Sequence, residues 1–154
     1  MTNETFTRKV LPFLKIKYFE GKEHQIIFDE IEQFVDKYSE LPTKEAIVIQ
    51  IDKRNDLNEE IYKTTQDLVG SLSHEETDQK WLVDTTEQYC KDRALHLAVL
   101  DGIAIIGGND KDRNTTALPD ILSDALAVSF DMSIGHDYVD NASDRFAFYH
   151  TKEE

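Results

Sequence analysis

The feature that most constrains the fold is one continuous helical pattern over residues 78–106, whose two halves differ in character. Residues 81–93 are amphipathic, with apolar and aromatic side chains on one side and charged side chains on the other. Residues 94–106 are apolar almost all round, and only His96 and Asp101 among them are strongly polar. Such a helix must be covered on several sides, either by its own chain or by another subunit.

A second helix is predicted just after this one, and the two together indicate an antiparallel helical hairpin. The Gly-Gly-Asn sequence at residues 107–109 should end the long helix, because glycine readily adopts the left-handed conformation found at helix C-termini. A polar loop over residues 110–116 follows, and Pro119 suits the first turn of a helix that runs to about Phe130. A long helix, a short loop and a second helix favour antiparallel packing.

Upstream of the hairpin, apolar residues recur at helical spacing over residues 5–14, 21–39 and 58–72. Residues 44–51 are rich in β-branched side chains and could equally form a strand, but no partner strand is evident, so a helix capped by Thr43 is favoured. The predicted fold class is all-α. Its predicted parts are a small helical head (1–77), a helical hairpin that serves assembly (78–133) and the start of a linker region (134–154).

The apolar residues of the hairpin are the first candidate functional residues. Because each helix of a hairpin hides only one face against the other, a protruding hairpin would expose its second apolar face. Large exposed apolar patches are uncommon on monomers and usually mark interfaces. We therefore predict self-association, with coverage by the upstream helices of the same chain as the alternative. The predicted interface residues are Leu95, Leu97, Val99, Leu100, Ile103, Ile106, Ile121, Leu122, Ala125 and Leu126.

Composition and charge limit the possible partners. The chain has 154 residues with only six Gly and three Pro, too few for an all-β sandwich with many tight turns. Its net charge of −14 repels phosphate, so we expect neither a direct grip on nucleic acid nor docking on anionic membranes. The acidic residues are spread along the chain, which is typical of a solvated surface, although a patch for a basic partner is the sharper alternative.

The sequence contains none of the motifs that usually carry chemistry. It has no phosphate-binding GxxxxGK[ST], no GxSxG and no HExxH. A calcium-binding loop beginning at Asp110 would need Gly where Thr115 stands and a bidentate Glu where Ile121 stands. We therefore predict no catalytic, cofactor-binding or metal-binding residues in this chain.

Single residues that suggest chemistry have simpler interpretations. His136-Asp137 resembles the metal-binding pair of HD-type phosphohydrolases, but the spacing of a further His and Asp gives that site no support. The lone Cys90 has no paired His or positive neighbourhood and indicates a small, partly buried side chain in a reducing compartment. Trp81 and Tyr89 are predicted to be core residues rather than a binding cage. His96 is predicted to lie in a core or an interface.

Several segments in order resemble the N-terminal domain of T-even-type phage replicative DNA helicases, within the hexameric DnaB-like family. The long hairpin helix matches at residues 81–83, 86–89 and 93–94, and the upstream head matches at residues 18–20 and 41–43. The second hairpin helix and the segment after it match at residues 118–121, 125–126, 129–131 and 135–137. No single motif is diagnostic, but the resemblance covers nearly the whole chain.

The resemblance implies a DnaB N-terminal-domain-like fold and a non-enzymatic role. In that family such domains form a collar on the motor ring and receive the primase and the helicase loader, so self-association and these two partners are expected. ATP and Mg²⁺ would bind only in a later motor domain. For partner docking we favour the hairpin tip: Asn109, Asp110, Lys111, Asp112 and Arg113.

The chain lacks the N-terminal helix that usually precedes the segment matching residues 6–14, and it ends at Glu154 before any motor. We therefore expect an excised piece of a larger phage protein, acting in the bacterial host cytoplasm, with a naturally short protein as the alternative. With no signal peptide and no stretch of 18 apolar residues, a cytoplasmic location fits. Two other functions stay open: an acidic phage protein that binds a basic DNA-binding protein, and a metal-dependent hydrolase built on His136-Asp137.

Overall fold

Helices account for every regular element in the part of the chain that the computed structural model describes, residues 4–73 and 75–130. The α-helices are α1 (Glu4–Val10), α2 (Lys22–Tyr38), α3 (Lys44–Asp52), α4 (Glu59–Ser71), α5 (Gln79–Ile106) and α6 (Leu118–Leu126). Short 3-10 turns lie at Leu11–Phe13, Ile16–Tyr18 and Thr115–Ala117. The predicted all-α class is therefore confirmed. The predicted linker start at 134–154, including His136-Asp137, lies outside the described residues.

Polar side chains cap three of these helices at their N-termini. The Thr43 hydroxyl accepts a hydrogen bond from the Ala46 amide at 3.1 Å, and the Asn58 side chain accepts one from the Ile61 amide at 2.8 Å. The Thr43 cap matches the sequence prediction, and Asn58 opens the helix predicted over residues 58–72. The Asp78 side chain accepts a hydrogen bond from the Trp81 amide at 2.8 Å, so Asp78 is the N-cap of α5 and the helix begins at Gln79. Each bond satisfies one of the amides that a helix N-terminus leaves unpaired.

Residues 44–51, where helix and strand were both open, form helix α3. Ile47 and Ile51 are both 0% exposed, whereas Ile49 is 53% exposed. A strand would place all three side chains on one face, because its side chains alternate with a period of two. The observed alternation fits the helical period, and it makes α3 a packing element of the head.

The last two helices form the predicted antiparallel hairpin. Gly108 ends the turn after α5 with a φ of 72°, and the Asn109 amide donates to the Ala104 carbonyl at 2.9 Å. Leu118, at the start of α6, lies beside Gly102, near the end of α5. Beyond α6, Ser129 lies within 3.4 Å of Glu87, much earlier on α5. The chain therefore returns along α5 in the opposite direction.

Helix α6 is shorter than predicted, because it ends at Leu126 rather than at Phe130. Phe130 is buried, and its ring stacks on Phe13 with the centroids 4.6 Å apart. A continued helix would carry residue 130 along α5 instead of toward the N-terminal segment. The long-range aromatic contact overrides the local helical pattern.

Two hydrophobic clusters hold the described residues together. The first hydrophobic cluster joins the N-terminal segment to the hairpin, and its buried members are Val10, Tyr18, Val83, Cys90, Ala94, Ala98, Ala125 and Phe130. The second hydrophobic cluster joins α2, α3 and α4, and its buried members are Ile26, Ile27, Ile47, Ile51 and Val69. The segment up to Tyr18, which is part of the predicted head, thus shares the first cluster with the hairpin. The division at residue 77 remains a prediction about domains.

A polar junction fixes the N-terminal segment against α5. The Tyr18 carbonyl accepts hydrogen bonds from the Tyr89 hydroxyl at 2.6 Å and from Arg93 Nε at 2.8 Å. Arg93 Nη1 also lies 2.6 Å from a Glu20 carboxylate oxygen. Arg93 therefore holds the N-terminal segment at two points, the Tyr18 carbonyl and the Glu20 carboxylate.

The core prediction for Trp81 was wrong, since its side chain is 57% exposed. Trp81 lies on the side of α5 opposite Val83 and Cys90, which carry the packing against the N-terminal segment. Tyr89 is also partly exposed, although its hydroxyl serves the junction at Tyr18. His96 lies on the same open side and is exposed.

Candidate assembly face on the long helix

The C-terminal half of α5 presents a row of large apolar side chains to solvent. We call this row the α5 face; its members are Leu95, Val99, Leu100, Ile103 and Ile106. Ile103 is 61% exposed and Ile106 is 70% exposed. Leu95, Val99, Ile103 and Ile106 recur at steps of three and four residues, so they form one stripe along the helix. Within the described residues, this stripe is unpartnered.

The side of α5 next to this stripe carries small residues and packs against α6. Ala94, Ala98 and Gly102 are buried there, one helical turn apart. A Cβ built on Gly102 would lie 3.3 Å from Leu118 Cδ2, so glycine at this position lets the two helices approach closely. This part of α5 therefore buries three small residues and Ile105 within the chain, while the five side chains of the α5 face stay outside. Packing within one chain does not explain why those five are large and apolar.

Leu122 and Leu126 on α6 extend the apolar surface beside the α5 face. Both are exposed, and Leu126 is the more exposed of the two. Asp124 of α6 lines a cleft together with Leu97 and Asp101 of α5. The side of α6 that carries Asp124 therefore faces this cleft. Helical spacing places Leu122 and Leu126 on the other side of α6, toward Leu95.

The ten predicted interface residues divide into two groups in the structure. The seven residues of the α5 face and α6 named above are exposed. Leu97, Ile121 and Ala125 instead pack in the first hydrophobic cluster, between the hairpin and the N-terminal segment. Their apolar character is explained by packing within the chain, whereas that of the exposed seven is not.

The hairpin tip is held together by its own polar contacts. One carboxylate oxygen of Asp110 accepts the backbone amides of Asp112 and Arg113 at 2.9 and 3.0 Å. Arg113 Nε donates to the other oxygen at 2.8 Å, and its Nη1 lies 3.3 Å from Asp101. These contacts lower the pKa of Asp110 and raise the pKa of Arg113. Among the predicted docking residues, Asp110 and Arg113 thus shape the loop, while Asn109, Lys111 and Asp112 remain exposed.

Reactive groups elsewhere are few in the described part of the chain. No group of three or more His, Cys, Asp or Glu side chains there is placed to hold a metal ion. Cys90 is fully buried, and burial raises the pKa of its thiol to about 11. A thiol with so high a pKa is a poor nucleophile. In the same residues, no helix is long and apolar enough to cross a membrane.

Comparison with known proteins confirms the resemblance that the sequence suggested. No family model matches the chain. Over 97% of its length, the chain is similar to a DnaB-like replicative helicase of Enterobacteria phage T4, with 29% identity. The chain spans 33% of the length of that relative. The similarity therefore extends through the helical head, the α5 face and the hairpin together, and it concerns only a part of the helicase.

Proposed function

We propose that this chain is the non-motor, collar-forming domain of a DnaB-like replicative DNA helicase. It joins neighbouring subunits through the α5 face and offers a docking surface to primase and to the helicase loader. The observation that carries the proposal is the α5 face itself, five large apolar side chains exposed on a helix whose adjoining side is closed by α6. The similarity to a phage replicative helicase supplies the assembly in which such a face is expected.

The energetics of the α5 face fit an assembly that depends on concentration. Full burial of a Leu or Ile side chain stabilises by roughly 1.5 to 3 kcal/mol, and side chains that are already partly covered yield about half of that. Seven such residues from each of two copies give a gross gain of roughly 10 to 20 kcal/mol. Association costs roughly 4 to 15 kcal/mol in lost freedom, which offsets much of this gain, so association should depend on protein concentration. The ring of the parent protein would strengthen the contact.

The proposal assigns no chemistry to this chain. Its sequence has no GxxxxGK[ST] loop that could cradle the phosphates of a nucleotide. Its net charge of −14 opposes a direct grip on DNA. ATP hydrolysis and DNA contact would therefore belong to a separate motor domain, and this domain would act by positioning subunits and partners.

The assembly part of the proposal is tested by placing a charge on the α5 face. Ile103→Glu should shift the chain to monomer in sedimentation equilibrium over a micromolar concentration series, because an ionised carboxylate resists burial in an apolar contact. Ile49→Glu is the matched control. It places the same charge on a similarly exposed isoleucine of α3, away from the hairpin.

Circular dichroism should show unchanged helicity in both variants, since both side chains are exposed. Association that survives Ile103→Glu, or that Ile49→Glu removes equally, would contradict the α5 face as the interface. A chain that is monomeric throughout and instead binds basic proteins in a salt-sensitive way would favour the acidic binding protein. Leu97→Glu is unsuited to this test, because Leu97 packs inside the chain.

The docking part needs separate measurements with purified primase and loader. The exposed side chains of the hairpin tip are the starting point, and Lys111→Glu combined with Asp112→Lys exchanges their charges without touching the Asp110–Arg113 contacts. A weaker complex with either partner in analytical gel filtration would support docking at the tip. Unchanged binding of both partners would move docking elsewhere on the domain.

A further inference from the structure

A cleft of about 270 Å³ opens where the N-terminal segment meets the hairpin. Side chains from both hairpin helices line its floor: Ala94, Leu97, Ala98, Ile121, Ala125 and Val128. The three alanines are buried, so Leu97, Ile121 and Val128 supply its open apolar contacts. Lys15, Lys17 and Tyr18 border it on the N-terminal side, and Asp101, Arg113 and Asp124 border it on the hairpin side. The cleft is distinct from the α5 face, since it lies along the other edge of α5.

The volume of the cleft indicates what could occupy it. Sites for cofactors and small-molecule ligands usually measure about 300 to 1,000 Å³ and enclose most of the ligand. At about 270 Å³, this cleft is smaller than those sites and is suited to one or two side chains. Protein partners commonly insert such anchoring side chains into apolar grooves, while the rest of the segment stays at the surface.

The charges around the cleft differ from those of the chain as a whole. Lys15 and Lys17 are exposed, and neither has an ion-pair partner within residues 4–73 and 75–130. Arg113 already forms ion pairs with Asp101 and Asp110. On the opposite rim, Asp124 forms no ion pair with any residue in that part of the chain. In a chain with a net charge of −14, the cleft thus has one rim with two available cations.

Tyr18 places a buried polar group beside those lysines. The residue is only 2% exposed, and its hydroxyl has no hydrogen bond to any described residue, although its backbone carbonyl accepts two. Tyr18 borders the cleft and also belongs to the polar junction with α5, so the junction holds this rim of the cleft in place.

We propose that the cleft binds an acidic peptide segment of a partner protein. One bulky apolar side chain enters between α5 and α6, and an adjacent carboxylate lies against Lys15 and Lys17. The unpaired Asp124 on the opposite rim orients the segment, since it repels a carboxylate placed on that side. The inference deepens the docking part of the proposed function and rests on it, but it is independent of the α5 face.

The test measures binding of three short fluorescein-labelled peptides to the whole chain by fluorescence anisotropy. Acetyl-DELFDE-amide has both the apolar anchor and the carboxylates, acetyl-DESSDE-amide lacks the anchor, and acetyl-KKLFKK-amide reverses the charge. The first peptide should bind at least about tenfold more tightly than the second, because only the first carries apolar side chains that can contact Leu97, Ile121 and Val128. The basic peptide should not compete with it, although the net charge of the whole chain favours basic ligands.

Variants locate the binding within the cleft. Lys15→Glu combined with Lys17→Glu should weaken the acidic peptide at least about tenfold, because both cations that face its carboxylates are replaced by like charges. Asp124→Asn should strengthen it. Lys53→Glu combined with Lys63→Glu is the matched control, since it reverses two exposed lysines of the head and should reduce affinity far less.

If the two double lysine variants weakened peptide binding equally, the proposal would be overturned, because the loss would then depend on the net charge of the chain and not on the cleft. Tighter binding of the basic peptide, or no binding of the acidic one at millimolar concentration, would overturn it as well. Sedimentation of the Lys15→Glu, Lys17→Glu variant should match the wild type. Failure of the cleft therefore remains distinguishable from failure of the α5 face.

Discussion

Three isoleucines on helix α3 give the sharpest stability prediction, because they are chemically identical and differ only in burial. Ile47→Ala and Ile51→Ala each remove a side chain that is 0% exposed in the cluster formed by α2, α3 and α4. Truncating a buried Ile to Ala usually costs about 2 to 5 kcal/mol, as lost burial and a residual cavity add together. We expect about 3 kcal/mol for either variant, a large share of the roughly 5 to 15 kcal/mol that stabilises a typical domain.

Ile49→Ala should behave differently, since this side chain is 53% exposed. Full burial of an isoleucine is worth roughly 2 kcal/mol, so a half-covered one contributes about 1 kcal/mol. Alanine regains about 0.4 kcal/mol through its higher helix propensity. The net loss should therefore be about 0.5 kcal/mol. The helical period produces this contrast, and a strand would bury all three positions alike.

The assay is urea unfolding followed by circular dichroism, in which the shift of the midpoint at a constant slope gives the change in unfolding free energy. Measurements at a concentration where every variant is monomeric separate folding from association. Similar losses at positions 47, 49 and 51 would refute the helical arrangement of α3 and the burial argument together. A loss below about 1 kcal/mol at position 47 would refute the second hydrophobic cluster as a packed core.

Three further predictions concern the hairpin. Gly102→Ala should be nearly neutral in urea unfolding, because helix propensity offsets the 3.3 Å approach to Leu118, while Gly102→Val should cost roughly 1 to 3 kcal/mol. Cys90 should resist iodoacetamide at mildly alkaline pH and react fast in urea, as followed by mass spectrometry; rapid labelling of the native chain would contradict its burial. Arg113→Gln should raise the low pKa of Asp110 in a carboxyl NMR titration. Because that pKa is depressed, its stabilising contribution is complete above the pKa of the unfolded state and is lost as pH falls through the folded value.

Most helix boundaries could be predicted because local signals set them. Thr43 and Asn58 accept amide hydrogen bonds within their own turn, and Gly108 supplies the positive φ after α5. Such signals act over three or four residues, so they are visible in the sequence. Periodicity likewise placed the long helix and the hairpin.

The parts that the sequence did not predict depend on contacts between distant segments. Phe130 leaves the helical path because it meets Phe13, and no local pattern near residue 130 indicates that contact. Trp81 is exposed because the N-terminal segment packs on the other side of α5. Periodicity identifies the apolar faces of a helix but does not show which face its own chain covers.

The candidate site was predicted in the same partial way. The all-round apolar character of residues 94–106 indicated that some surface would need a partner, but it could not separate Leu97, which packs inside, from Ile103, which does not. The cleft gave no signal at all in the sequence. It forms only when Lys15 and Tyr18 meet a hairpin that lies far along the chain.

The most direct test of the central proposal asks whether the α5 face becomes covered when copies of the chain associate. Ile103→Cys and Ile49→Cys each add one accessible thiol, and the buried Cys90 stays silent in the folded chain. The alkylation rate of each thiol is then measured by mass spectrometry as the protein concentration rises. The proposal predicts that labelling at position 103 slows with concentration while labelling at position 49 stays constant. Equal rates at both positions, in a chain that sedimentation shows to be associated, would contradict the α5 face as the assembly surface.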